Sequence, residues 1–498
     1  MKKHIRNEKL SQFEGLFLLI ILIAAAFFRF RQLTGLAFFT YDQARDALYI
    51  KRIIVDGQFR LIGTQSSIPG LYTGPFYYYL MAPFLLLFRL NPVGLDFGIA
   101  CFSLLSIVVF FIIAKRITGN KALILLFTSL FAFSPQIVAQ SRFAWNPNPL
   151  PIFSLLFLLA CQKIIGENEK KYLLLLAFSI GAAINLHYSG LTFLFITLLI
   201  YLRFRPRFKI YPTVALSFLI LGLFLLPLLV FEFRHQFVNV GNIVEYFFSG
   251  TGGRIPAPAF FTGLWEKLVY LFGLLVNLPS LWIKIAAVFI LVGCFWLYFN
   301  EIKTKPTFFT VTFLTLFGGV LFAAFYKGSF FFFYLTFLYP VPFLLTLLLL
   351  DRIRVKSRKV TLVFILVAGF LISKNIVALI SSPIGSSKIN GLVDTARFLA
   401  DKIKVDEKFN LVAVYRDKDG YYYNAVDYRY FLEADCGIRV PGWDVLDYQQ
   451  AQILYLISET GSLEVLKLDI WEVGLFKPEK ITSVWELPAG IVIYKLTK

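Results

Sequence analysis

The sequence predicts an all-α polytopic membrane domain of about eleven transmembrane helices over residues 1–380, followed by a small α/β domain over 381–498. Three observations lead there. The 498-residue chain is 58% hydrophobic and only 16% charged, with a mean hydropathy of +0.72, too apolar for an ordinary soluble protein. Apolar runs of near-spanning length recur along most of it. After about residue 381 polar residues return and the pattern changes to short strands and amphipathic helices.

In order, the runs are 15–30, 93–114, 121–138, 149–165, 172–187, 190–202, 211–230, 281–299, 307–325, 330–350 and 361–373. A crossing needs roughly 20 apolar residues, with about 17 as the lower limit, so several of these runs have short or uncertain edges. The first follows MKKHIRNEKL and has no small-residue cleavage pattern, so it reads as an uncleaved first helix. Cys101, Cys161, Cys294 and Cys436 are scattered, and three lie inside apolar runs, which suggests no disulfide framework and no thiol metal site.

A net charge of +19 invites a nucleic-acid reading, but the distribution argues against one. The positive residues gather in alternate short loops: around Lys3 and Arg6, Lys115 and Arg116, Lys170 and Lys171, Arg205 and Arg207, Lys303 and Lys305, and Arg352 to Lys359. The intervening loops carry chiefly Arg142 and Lys327. This is the positive-inside bias, which puts the rich loops in the cytoplasm. The alternation works when 76–90 and 260–278 lie on or dip into the outer face instead of crossing. The expectation is then a multi-pass protein of the cytoplasmic membrane, with a cytoplasmic N-terminus and an extracytoplasmic C-terminal domain, in contact with membrane lipids and no nucleic acid.

On that topology the long first outer loop, 31–92, carries the charge cluster of "YDQARDA". Thr40 followed by Gln43 is a capping-box pattern, so a helix is expected from Thr40. Asp42 and Asp46 then share a face, with Arg45 three residues from Asp42. Asp42 falls in the first turn, where the helix dipole favours an anion. An ionised carboxylate there can take a proton from a hydroxyl or hold a metal. The same charges equally suit a solvated interfacial helix, and spacing alone favours that plainer assignment.

Further outer features follow. "LYTGPFYYYLMAP" sets Tyr72, Tyr77, Tyr78 and Tyr79 around a Gly-Pro break, either as an interfacial aromatic belt or as part of a structured functional loop. "SRFAWNPNPLP" holds Arg142 beside Trp145 and Asn146. An arginine against the sidedness bias invites an anion such as phosphate, or pairs with a headgroup or with Asp42 or Asp46. His187 in "INLHYSG" is at a helix end, where a lone histidine more often caps than ligates. Lys327 stands beside the aromatic run "SFFFFYLTFLYP". In the tail, "NLVAVYR", "ILYLISE" and "IVIYKLT" read as strands, and "GLVDTARFLADKI" and "AVDYRYFLEA" as helices.

The order of these features resembles the GT-C class of membrane glycosyltransferases, in particular the dolichyl-phosphate-mannose protein mannosyltransferases and the lipid A aminoarabinose transferases. The resemblance rests on "YDQARDA", "GPFYYYLMAP" and "SRFAWNPNP" and runs over most of residues 15–350. It implies a polyprenyl-phosphate-linked sugar donor, a lipid, glycan or protein acceptor, and transfer on the outer face. Asp42 matches the Asp of that class's Asp-Glu pair, and Gln43 stands where the Glu usually does. Thr73 and Gly74 replace a charged pair of the aminoarabinose branch, which leaves acceptor and metal open. No cofactor is certain; a divalent metal stays open.

Elementary chemistry asks for the same parts. A lipid-phosphate donor needs an apolar groove and a cation for its leaving group, and transfer needs a base. Asp42 is the candidate base, with direct inverting displacement the simpler route; Arg142 or Lys327 is the candidate cation. Arg45, Asp46, Tyr77, Trp145, Asn146 and His187 complete the candidate site. Two other readings stay open. One is an oligosaccharyltransferase, of whose outer-domain motif "GWDVLD" is a faint echo. The other is a lipid or sugar transporter, although the spans are almost free of charge at their centres and show no repeat.

Overall fold

A computed structural model describes residues 11–36, 39–204, 212–248, 256–301, 307–326, 330–353, 358–381, 388–416 and 423–498. Lys327 lies outside the described residues. The chain begins with α1 (Gln12–Phe30), α2 (Leu33–Leu36), α3 (Tyr41–Asp56), α4 (Phe76–Leu87) and α5 (Val93–Ile117). It continues through α6 (Lys121–Ala132), α7 (Pro135–Gln140), α8 (Leu150–Glu167), α9 (Leu173–Leu186), α10 (Leu191–Phe204) and α11 (Pro212–Arg234). Then come α12 (Val238–Phe248), α13 (Ala257–Gly273), α14 (Ser280–Glu301), α15 (Phe308–Ala324), α16 (Val341–Arg352) and α17 (Arg358–Ile380). The tail holds α18 (Ile389–Ala400), α19 (Val426–Ala434), α20 (Val445–Gln450), α21 (Trp471–Phe476) and four strands.

Among the described residues, five helical segments are long and apolar enough to cross a membrane: Gln12–Gly35, Val93–Ile117, Leu150–Glu167, Pro212–Arg234 and Ser280–Asn300. A sixth arises if Phe332–Leu338 and Val341–Arg352, bent by 46°, form one span. Shorter apolar helices include Phe76–Leu87, Lys121–Ala132 and Phe308–Ala324. The protein is a polytopic, mostly helical membrane protein. Two expected runs are broken: 121–138 divides into α6 and α7 ahead of Pro135, and 330–350 bends before Val341. Proline at the first position of a helix is pre-set for that start but cannot continue the helix before it. At about 1.5 Å per residue, the twelve residues of α4 reach about 18 Å, short of a hydrocarbon core of about 30 Å.

The backbone gathers into two compact units: Met1–Leu33, Phe59–Met81 and Asp96–Ile384 form the first, and Thr34–Gln58, Ala82–Leu95 and Gly385–Lys498 the second. In the first, helices associate by close packing and hydrogen bonds, because burial from lipid supplies little hydrophobic drive. Gly181 of α9 meets Phe224 of α11, where a Cβ would come within 2.7 Å of the ring. Asn185 Nδ2, one turn on, donates to Phe224 O at 2.9 Å and to Gly181 O at 3.0 Å. Arg29, fully buried in α1, donates to Ser103 Oγ (2.9 Å), Ala25 O (3.2 Å) and Ala132 O (3.0 Å).

In the second unit, β1 (Phe409–Val414), β2 (Ile453–Ser458), β3 (Lys480–Leu487) and β4 (Ile491–Thr497) form a sheet in the order β1-β2-β4-β3. β1 and β2 run parallel, and β4 pairs antiparallel with both β2 and β3. Leu454, Leu456, Val492, Tyr494 and Leu496 pack with Tyr448 and Phe476 as its core. The three strands and two helices expected from the tail are present. β3 is additional: it is an edge strand with much of both faces in solvent, so it lacks the buried apolar run that marks the others.

Candidate active site

In the second unit, Thr40 caps α3 as its sequence pattern predicts. Gln43 Oε1 accepts from Thr40 N–H at 3.3 Å and from its hydroxyl at 2.8 Å. The helix stops at Gly57, whose φ of +64° takes the left-handed conformation that glycine adopts without penalty. Gln43, at the position of the class's Glu, is buried and spent on the cap.

On the resulting face Arg45 bridges both aspartates. Its Nη1 lies 2.9 Å from Asp42 Oδ1 and its Nη2 2.9 Å from Asp46 Oδ1, with Nε donating to the same Asp46 oxygen at 3.0 Å. The two carboxylates are unequal. The Asp46 side chain is 1% exposed and that of Asp42 38%, so Asp42 is the one open to a substrate. The arginine lies 5.5 Å over the Tyr41 ring as well, which holds the fork in place. Among the described residues, no group of three or more His, Cys, Asp or Glu side chains has metal-ligand proximity.

In the first unit the segment after α7 and the end of α9 come together. Asn146 Nδ2 donates to Leu186 O at 2.6 Å, beside His187. His187 Nδ1 accepts the Ser189 N–H at 3.2 Å and lies 2.9 Å from Ser189 Oγ, so the neutral ring carries its proton on Nε2. It is a helix-end cap. Its ring packs 5.3 Å from Tyr334, and Trp145 packs 4.1 Å from the adjacent Phe333. Tyr77 is 2% exposed against Tyr78, inside the core.

Arg142 is half-buried and donates Nη2 to Arg31 O, while its Nε has no hydrogen-bond partner. Burial and the neighbouring Arg31 charge hold its pKa below the usual value, opposed by Asp96. Asp96, in the first turn of α5, accepts the Ala144 N–H at 2.8 Å and so ties this loop down. Among the described residues no carboxylate forms an ion pair with Arg142. A guanidinium with a spare N–H beside a second cation is suited to an incoming anion.

Sequence reasoning passed over several groups. Lys267 of α13 is 8% exposed, with Nζ 4.0 Å over the Phe330 ring and 3.4 Å from Gly263 O. It is another cation in an expected outer segment, so the sidedness signal that marks Arg142 also marks it. The loop before α4 is clamped: Tyr188 donates its hydroxyl to Tyr72 O (2.5 Å), Tyr72 N–H to Asn239 Oδ1 (2.8 Å) and Asn242 Nδ2 to Gly70 O (2.9 Å). No sequence signal reports such long-range pairs. Gly74 shows its cost in space: a Cβ there would fall 1.8 Å from Asn185 Oδ1. A small cavity bordered by Ser103, Phe131, Ile137, Gln140, Asn148 and Tyr339 has about 10 Å³ of room, sized for about one water.

Residues 72–231 match the profile of the family described as dolichyl-phosphate-mannose-protein mannosyltransferase. Among solved structures, ArnT from Cupriavidus metallidurans in the apo state is similar with a TM-score of 0.62 at 13% identity, over 97% of this chain and 98% of that one. The same protein bound to undecaprenyl phosphate gives 0.59 at 12% identity, over 98% of both chains. The archaeal oligosaccharyltransferase AglB from Archaeoglobus fulgidus, in complex with an inhibitory peptide and a dolichol-phosphate, gives 0.50 at 15% identity, over 90% of this chain and 70% of that one. No curated protein matches the sequence. The chain therefore shares the fold of ArnT along almost its whole length, and its residues 72–231 resemble the mannosyltransferase family.

Proposed function

We propose that the protein moves a sugar from a polyprenyl-phosphate carrier to an acceptor hydroxyl on the outer face of the cytoplasmic membrane, with inversion and with Asp42 as base. The Arg45 bridge carries this reading: it leaves Asp42 oriented and the more exposed of the two carboxylates. In the proposed step, Asp42 takes the acceptor's proton as the hydroxyl oxygen bonds to the anomeric carbon. The bond from that carbon to the phosphate oxygen breaks, and the lipid phosphate leaves as an anion. Arg142 binds that phosphate, with Lys327 and Lys267 next in line. Trp145, Asn146, His187 and Tyr77 shape and support the donor side. The lipid phosphates bound to ArnT and AglB support the choice of donor class.

The topology proposed with it has about eleven spans, a cytoplasmic N-terminus and an outer domain over 381–498. Single cysteines at Lys171 and Lys467, both exposed, test it with an impermeant thiol reagent on intact cells. Label is expected at Lys467 alone, and the reverse pattern overturns the orientation. The chemistry is tested by incubating membranes with a panel of radiolabelled polyprenyl-phosphate sugars. Transfer from one of them to a lipid, glycan or protein is expected. Uptake or flipping of the lipid without transfer supports a transporter instead, and transfer of a preassembled oligosaccharide alone supports the oligosaccharyltransferase.

A further inference from the structure

We infer that Glu433 is a positioning residue for the transfer reaction: through Lys51 and Arg52 it sets the helix that carries Asp42. This rests on the reading of Asp42 as base. Glu433 belongs to α19 of the C-terminal domain, 382 residues along the chain from Lys51, and its side chain is 1% exposed. Its Oε2 takes Lys51 Nζ at 3.2 Å and Arg52 Nε at 3.2 Å, and Oε1 takes Arg52 Nη2. Val440 N–H, 3.5 Å from Oε1, holds the carboxylate on its own domain. Lys51 reaches Asp56 at 3.3 Å as well, so two cations meet two carboxylates in a nearly dry contact.

The other end of α3 is held separately. Phe39, just before the Thr40 cap, packs on Tyr430 and Phe431 of the same helix α19, each with ring centroids 5.4 Å apart. Between these anchors α3 buries Ala44, Ala47, Leu48 and Ile50, and leaves Asp42 partly open. The aromatic contact holds the start of the helix, and Tyr49 stacks on Trp443 further along, with ring centroids 6.3 Å apart. The Glu433 contact adds a charged clamp at the far end. Neutralising Glu433 leaves Arg52 without its carboxylate and Lys51 with Asp56 alone, a state that favours lifting the helix end into water. A base displaced by about 1 Å can lose about a hundredfold in rate.

The test is Glu433→Gln in the full-length protein, read by hydrogen exchange over 41–56 and by transfer kinetics per folded molecule. Exchange of α3 amides should quicken at least about tenfold, with kcat down about ten- to hundredfold and the donor KM unchanged. Glu433→Asp, which keeps the charge, should recover part of both. Where Glu433→Gln does not fold, Arg52→Gln keeps the Lys51 pair and is read by the same two measurements. Unchanged α3 exchange overturns the inference, as does quicker exchange with normal kcat. Asp42→Asn separates the two readings: if it transfers normally, the base assignment fails and the positioning role with it, whatever α3 exchange shows.

Discussion

Helical spacing marks Arg45 and the sidedness bias marks Arg142, and their surroundings are opposite. Arg45 spends its fork on two carboxylates of its own helix, and a tyrosine ring lies over it. Arg142 has a carbonyl, a second arginine and an N–H without a partner. A guanidinium already paired to carboxylates orients them, whereas one facing another cation has affinity to offer an anion. The first suits the proposed acid–base chemistry and the second the proposed phosphate contact. The difference is legible only from the partners.

The strongest way to break this division is Asp42→Asn. It keeps shape and hydrogen bonding to Arg45 but cannot accept the proton, so turnover should fall about 10²–10⁴-fold in radiolabel transfer while donor binding persists. Asp46→Asn should cost less, because its buried carboxylate acts through Arg45. Near-normal transfer by Asp42→Asn would leave α3 as a solvated interfacial helix.

Arg142→Ala should weaken donor use next most. Losing a charge-assisted contact is worth about 1.5–3 kcal/mol, which is roughly ten- to hundredfold in kcat/KM for the donor. Arg142→Lys should recover part of it, since a point charge replaces a planar fork. Unchanged donor dependence moves the phosphate to Lys327 or Lys267.

The smallest effect sharpens the contrast within the C-terminal domain. Glu433 has two cations, whereas Asp427 has the Tyr415 hydroxyl at 2.6 Å and, among the described residues, no ion pair. Burial, with the Glu459 charge adding, raises Asp427 to about 6 against the Tyr415 hydrogen bond. The folded state therefore holds this proton more tightly than the unfolded chain. Its contribution is fully present below about pH 4 and is lost as pH rises through about 6. Asp427→Asn should protect β1 and β2 amides by up to about 3 kcal/mol more at pH 7, and by little at pH 4. A gain independent of pH would remove burial as the cause.

Much of the fold could be read from the chain because it depends on local pattern. Hydropathy marks most of the apolar helices, Thr40 and Gln43 mark the start of α3, and alternation marks three of four strands. β3 escapes because an exposed edge strand carries no burial pattern. The candidate site divides in the same way. Asp42, Arg45 and Asp46 share a face because helical spacing puts them there, so the sequence by itself determined that triad. Only the tertiary structure decided that Asp42 stays open while Asp46 is buried, that Arg142 faces Arg31, and that Glu433 takes Lys51 and Arg52. Each of these depends on which distant segment packs against the residue, and burial and pairing energies come from such neighbours, about which composition and spacing carry no record.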